Sequence, residues 1–161
     1  DPSRWNDDDH IKSTHNCYAY ALNKISHSMR NKPQPGYFSK FTRDAFADGD
    51  YTCNTFLKRL KKDSPTLYVT TFSKPCREGY HKAFMVITSN ENNRDFHFYR
   101  QDHNGCWSHK PGRTNVTNKD ASDKPISNPL TANRQYDVYN YDKPCFFFCV
   151  RPDNVRIRSS V

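Results

Sequence analysis

The residues best suited to do chemistry in this chain are one cysteine and a pair of histidines. Cys17 follows Asn16, a residue type that caps helices by accepting from the N–H groups of the first turn. A cysteine placed there meets unpaired N–H groups, which favour the thiolate and are expected to lower the thiol pKa. A sulfur nucleophile also needs a base, and the base needs a partner that fixes its orientation. His97 lies in Phe96-His-Phe-Tyr-Arg100 and His109 in Trp107-Ser-His-Lys110, with the turn signal Asp102-His-Asn-Gly105 between them. Pairing the two segments across that turn brings both rings to one sheet face, where one acts as base and the other sets its tautomer. The Cys17 N–H, helped by His15 or Asn16, is the expected oxyanion donor.

These residues need elements to position them. Tyr18, Ala21, Leu22 and Ile25 recur at helical spacing, so a helix is expected from Cys17 to Ile25 with one buried stripe. Tyr18 belongs to that stripe, and Tyr20 is open to packing or to lining a groove. A second helix is expected over 52–62, with Cys53, Phe56, Leu57 and Leu60 inward and Lys58, Arg59, Lys61 and Lys62 outward. After Pro65 come short β-like runs at 67–72, 81–88, 96–100, 106–110, 135–141 and 145–150. Residues 1–14 read as an irregular polar segment, in which Asp7-Asp8-Asp9-His10 is a solvated loop. Residues 115–133 read as a long surface loop. Helices first and then antiparallel strands make an α+β fold, in a single domain over 1–161.

Composition bounds the function. Leu, Ile, Val and Met number 19 against 23 Phe, Tyr and Trp, so the core has to be built on rings. No apolar run is long enough to span a bilayer as a helix. A net charge of +8 favours anionic partners, nucleic acid among them. Basic residues cluster at 58–62 and again at Arg151, Arg156 and Arg158. The six cysteines show no CxxC spacing, and neither a metal-ligand set nor a cofactor motif is read. An even cysteine count in a chain that begins at Asp1 is expected of a processed, exported protein. If one cysteine is a working thiol, at most two bridges can form among the other five.

Asn16-Cys-Tyr-Ala-Tyr-Ala-Leu22 resembles the nucleophile helix of papain-like cysteine hydrolases, especially NlpC-type and CHAP-type amidases. The segment from His97 to His109 resembles the NlpC arrangement of a strand-borne histidine followed, one hairpin later, by a second. The 95–112 stretch also resembles uncharacterised proteins of large DNA viruses and microbes. The resemblance implies a papain-like or NlpC-like fold and a thioester mechanism. It makes Cys17 the nucleophile, His97 the base and His109 the orienting residue. The substrate is then a peptide, protein or cell-wall amide, and an anionic one would suit the charge. Tyr80-His-Lys-Ala-Phe-Met-Val-Ile87 resembles the papain strand that begins at the catalytic histidine, which offers a rival base, His81, oriented by Gln101 or Asp102.

Two other functions compete. A histidine-based ribonuclease or nucleic-acid-binding module would group His97, His109 and Lys110 around a phosphate. A secreted binding module without catalysis would have all six cysteines paired.

Overall fold

The computed structural model describes residues 1–36 and 51–157. Its helices are α1 (Ser3–Asn6), α2 (Asp9–Thr14), α3 (Cys17–Ala21) and α4 (Cys53–Asp63). Its strands are β1 (Tyr68–Thr70), β2 (His81–Ile87), β3 (Phe96–Gln101), β4 (Trp107–Ser108) and β5 (Lys143–Val150). All pairings are antiparallel, in the order β1-β5-β2-β3-β4. The α+β expectation holds.

Side chains alternate across this sheet. One face presents Ala83, Met85, Phe96, Phe98 and Phe148 to α3 and α4, which add Tyr18, Ala21, Phe56 and Leu60. The other presents Phe84, Val86, Tyr99, Trp107 and Phe147 to the chain between β4 and β5, which adds Ile126 and Tyr141. Phe147 and Phe148 therefore serve opposite faces, and rings supply most of the core volume as the composition requires.

Two disulfides tie this frame together: Cys53–Cys145 joins α4 to β5, and Cys76–Cys149 joins the 71–80 connection to β5. They close loops of 92 and 73 residues, where chain-entropy reasoning gives roughly 4 kcal/mol each. Cys145 is the extra residue of a bulge, since Met85 pairs with Phe146 and Val86 with Pro144. Cys17 and Cys106 remain free thiols, so full pairing of the six cysteines is not what the fold adopts.

Several expectations are corrected. Residues 1–14 are not irregular: Asp8 caps α2 by accepting from the His10 and Ile11 N–H groups, which gives the acidic run a local structural job. Trp5 and Ile11 then bury against Tyr20. The helix that starts at Cys17 stops at Ala21 rather than Ile25. Asn23 turns left-handed at φ 53° and the Lys24 N–H closes onto the Ala19 carbonyl. Arg59, expected on the outer face of α4, is buried. Residues 135–141 form no strand, only a bridge between Gln135 and Asn140. Arg158 lies outside the described residues. No helix among the described residues is long and apolar enough to cross a membrane, and no group of three or more His, Cys, Asp or Glu among them could hold a metal ion.

Candidate active site

Asn16 caps α3 as its residue type suggests, accepting from the Ala19 N–H at 3.2 Å. Its Nδ2 donates to the Pro33 carbonyl at 2.8 Å, which leaves one N–H of that amide uncommitted by this bond. This cap sets Cys17 against β3, in the cluster that holds Phe96 and Phe98. The lowered thiol pKa expected at a helix N-terminus is not found. α3 is five residues long, too short for much of a dipole, and Cys17 is 5% exposed. Burial first, and then the Asp95 charge, push the thiol up to about 12. At rest Cys17 is a neutral thiol.

The hairpin turn forms where expected, with Gly105 at φ 84° and its N–H donating to the Asp102 carbonyl. Past β4 the ladder continues as a bridge, in which His109 and Thr117 exchange two backbone hydrogen bonds of 2.9 Å. That pairing fixes His109 beneath β3, where its Nδ1 lies 2.7 Å from His97 Nε2. His109 Nε2 lies 2.8 Å from the Lys119 carbonyl oxygen, which can only accept. The protonation pattern of the neutral rings follows. His109 carries its proton on Nε2 and offers the Nδ1 lone pair; His97 donates from Nε2 and keeps its own lone pair on Nδ1. A backbone carbonyl thus sets the tautomer of the base through one intervening ring.

Burial, followed by the charge of its neighbour, holds His97 well below its ordinary pKa. Burial takes His109 down to about 4 against the pull of the Lys119 carbonyl. Both rings are neutral at physiological pH. His97 stacks on Tyr141 at 5.2 Å and meets Tyr99 edge-on at 5.0 Å, so it has little room to turn. Tyr141 is itself held by its hydroxyl, which donates to Asp95 at 2.6 Å.

Cys17 and His97 line the same cavity, of about 510 Å³, together with Asn16, Asp95 and three tyrosines, Tyr136, Tyr139 and Tyr141. His81 is not among its lining residues. The His81 Nε2 lies 2.6 Å from the Ala21 carbonyl, at the opposite end of α3 from the thiol. Its proposed partners are elsewhere too: Gln101 Nε2 donates to the Gly105 carbonyl and Asp102 pairs with Arg100 at 3.5 Å. His15 accepts the Ser26 N–H on Nε2 at 3.0 Å and meets the Thr14 hydroxyl on Nδ1 at 3.0 Å. With both nitrogens occupied it is no oxyanion donor, whereas Asn16 lines the cavity. Tyr20 packs inward, its hydroxyl 2.6 Å from the Ser108 hydroxyl.

Lys110 was a candidate phosphate ligand beside the two histidines. Its ammonium instead donates to the carbonyls of Lys12, His15 and Gly112, and it is fully buried. Three acceptors satisfy three N–H groups, and the ammonium ties the segment leading into Cys17 to the strand that carries His109. Burial lowers its pKa to about 8. The sequence offered little sign of this role, because a lysine after a strand normally reads as solvent-facing.

Comparison with known proteins adds one relative. The chain is 33% identical over 135 residues to insoluble matrix shell protein 1 of Ruditapes philippinarum, covering 83% of this chain and 79% of the relative. The chain belongs to that protein's family. No family model and no solved structure matches it. Within the family, this member's two disulfides fit an exported protein, because such bridges persist in oxidising compartments.

Proposed function

We propose that this protein is a cysteine-dependent hydrolase of peptide or amide bonds, with Cys17 as nucleophile, His97 as base and His109 as orienting residue. The observation that carries the reading is the Lys119 carbonyl–His109–His97 relay. It leaves His97 Nδ1 as the one basic nitrogen of the pair, on a ring that shares a cavity with the free Cys17 thiol. Because both groups rest neutral, attack is base-assisted. Cys17 Sγ bonds to the carbonyl carbon as His97 Nδ1 takes the thiol proton, and the imidazolium is stabilised through His109. The spare Asn16 N–H and the Cys17 N–H receive the oxyanion. Collapse of the tetrahedral species breaks the C–N bond, and His97 returns the proton to the departing amine. Water, deprotonated by His97, then releases the acid from the thioester and restores the thiol.

In this reading the helix-borne cysteine and the paired strand histidines form a papain-like, NlpC-like arrangement, working outside the cell. Cys17→Ala is expected to abolish turnover of a peptide-amide library while both disulfides and the melting temperature persist. Undiminished turnover in Cys17→Ala would sink the reading. A second reading, a braced matrix component without turnover, is favoured by the relative's name and by the two bridges on β5. It predicts no turnover by the unmodified protein and no acyl adduct on Cys17.

A further inference from the structure

The cavity that holds Cys17 and His97 has a wall with no part in the chemistry above. Lys32 and Gln34 line it from the Lys32-Pro-Gln-Pro-Gly36 loop. This loop is anchored on both sides of Gln34. The Pro33 carbonyl accepts from Asn16, and the Gly36 N–H donates to the Asp63 carboxylate at 2.8 Å, with Gly36 at φ 86°. The backbone that carries Lys32 and Gln34 is therefore fastened to the cap of the nucleophile helix.

The position of the Lys32 charge is read from its neighbours. It favours the ionised forms of Cys17 and Asp95 and disfavours that of Lys110, three groups that surround the site. Among the described residues its ammonium makes no ion pair. Asp95, the one carboxylate among the described lining residues, accepts from the Tyr141 hydroxyl and makes no ion pair with Lys32. Beside Lys32, the Gln34 Oε1 is buried without a hydrogen-bond partner. A buried acceptor left unpaired is costly, so a turn of the side chain that brings it to a ligand N–H is favoured. One wall thus offers a cation with no ion-pair partner among the described residues and an unpaired acceptor, next to a thiol and a base.

We propose that Lys32 and Gln34 form the substrate-recognition wall of this cavity. Lys32 receives a carboxylate and Gln34 an amide N–H, so the favoured acyl donor is an acidic peptide segment. That this peptide is an acyl donor rests on the hydrolase reading; the binding wall stands on its own geometry.

Two alkylators of equal size and opposite character separate the possibilities. The native protein is treated with iodoacetate or iodoacetamide, and the rate at each cysteine is resolved by mass spectrometry. Exposed Cys106 serves as internal reference. The preference for iodoacetate at Cys17 is expected to exceed that at Cys106 by roughly tenfold, as a nearby cation in a partly dry cavity requires. Lys32→Met should erase the excess and Lys32→Arg should keep it. Acetyl-glutamate amide should protect Cys17 better than acetyl-glutamine amide does. Should Lys32→Met fold poorly, loss of the wild-type excess in 1 M salt reports the same charge. Equal preference at both cysteines, with Cys17 still reactive, would overturn the recognition wall and leave the nucleophile standing. A Cys17 inert to both reagents would overturn the nucleophile, and the wall is then overturned if acetyl-glutamate amide binds the native protein no better than it binds Lys32→Met.

Discussion

The two faces of the sheet are built differently, and the candidate site takes one half from each. Beneath the helices, Phe96, Phe98 and Phe148 pack on α3 and α4, and a disulfide from α4 to β5 closes the layer. Across the sheet, Tyr99, Trp107 and Phe147 are covered by chain without regular structure. Polar clasps hold that cover. Asp120 accepts from the Ser122 and Lys124 N–H groups, and the Arg134 guanidinium donates to the carbonyls of Pro129, Leu130 and Tyr141. Cys17 comes from the helical layer, while His97 points into the loop layer and is oriented there by His109 and Tyr141. The nucleophile is thus placed by apolar packing, and the base by a hydrogen bond to His109, which a backbone carbonyl holds in turn. The two halves should fail in different ways.

The largest expected effect falls on the base. His109→Ala frees His97 from the tautomer set by the Lys119 carbonyl, and turnover should drop by roughly 10³–10⁴-fold, as when another triad loses its orienting residue. Steady-state kinetics beside a thermal melt checks this, and a loss below tenfold would break the comparison at its centre. The next effect weighs the two layers against each other. Phe148→Ala, in the helix layer, should cost about 3–5 kcal/mol in urea unfolding. Ile126→Ala, under the loop cover, should cost about 2 kcal/mol, because a cover without helices can settle into the space. Equal losses would mean that the loop layer packs as rigidly as the helical one.

A smaller effect sharpens the helical side. Burial first pushes Asp63 up to about 6, while the Tyr18 hydroxyl and the Gly36 N–H pull it down. The folded value exceeds the unfolded one, so the associated stability is fully present below about pH 4 and is lost as pH rises through 6. Between those limits the wild type should lose on the order of 2 kcal/mol that Asp63→Asn does not lose. Parallel stability profiles from pH 4 to 7 would contradict the assignment.

The sequence made the frame of the site legible where local rules act alone. Asn16 as cap, the 102–105 turn and the pairing of His97 with His109 follow from residue type and spacing. The α+β order follows from where periodicity changes after Pro65. Features decided by distant contacts were not legible. Nothing near His109 in sequence announces that the Lys119 carbonyl will accept from its Nε2–H. Nothing near Lys110 announces three carbonyl acceptors from both sides of the site. The direction of the Cys17 pKa is not legible either, because a cap signals a helix start but not that distant packing will bury the thiol. The Gln135–Tyr141 run alternates like a strand, yet Arg134 folds it back on itself, donating to the Tyr141 carbonyl and accepting the Tyr141 N–H.

The most direct test is the pH profile of Cys17 alkylation by iodoacetamide in the wild type beside His97→Ala, with exposed Cys106 in the same molecule as the reference. If His97 Nδ1 removes the thiol proton during attack, Cys17 should already react at pH 6 to 7, and His97→Ala should slow it at least about tenfold with Cys106 unchanged. A Cys17 that reacts only at alkaline pH, at the same rate with and without His97, would contradict the account.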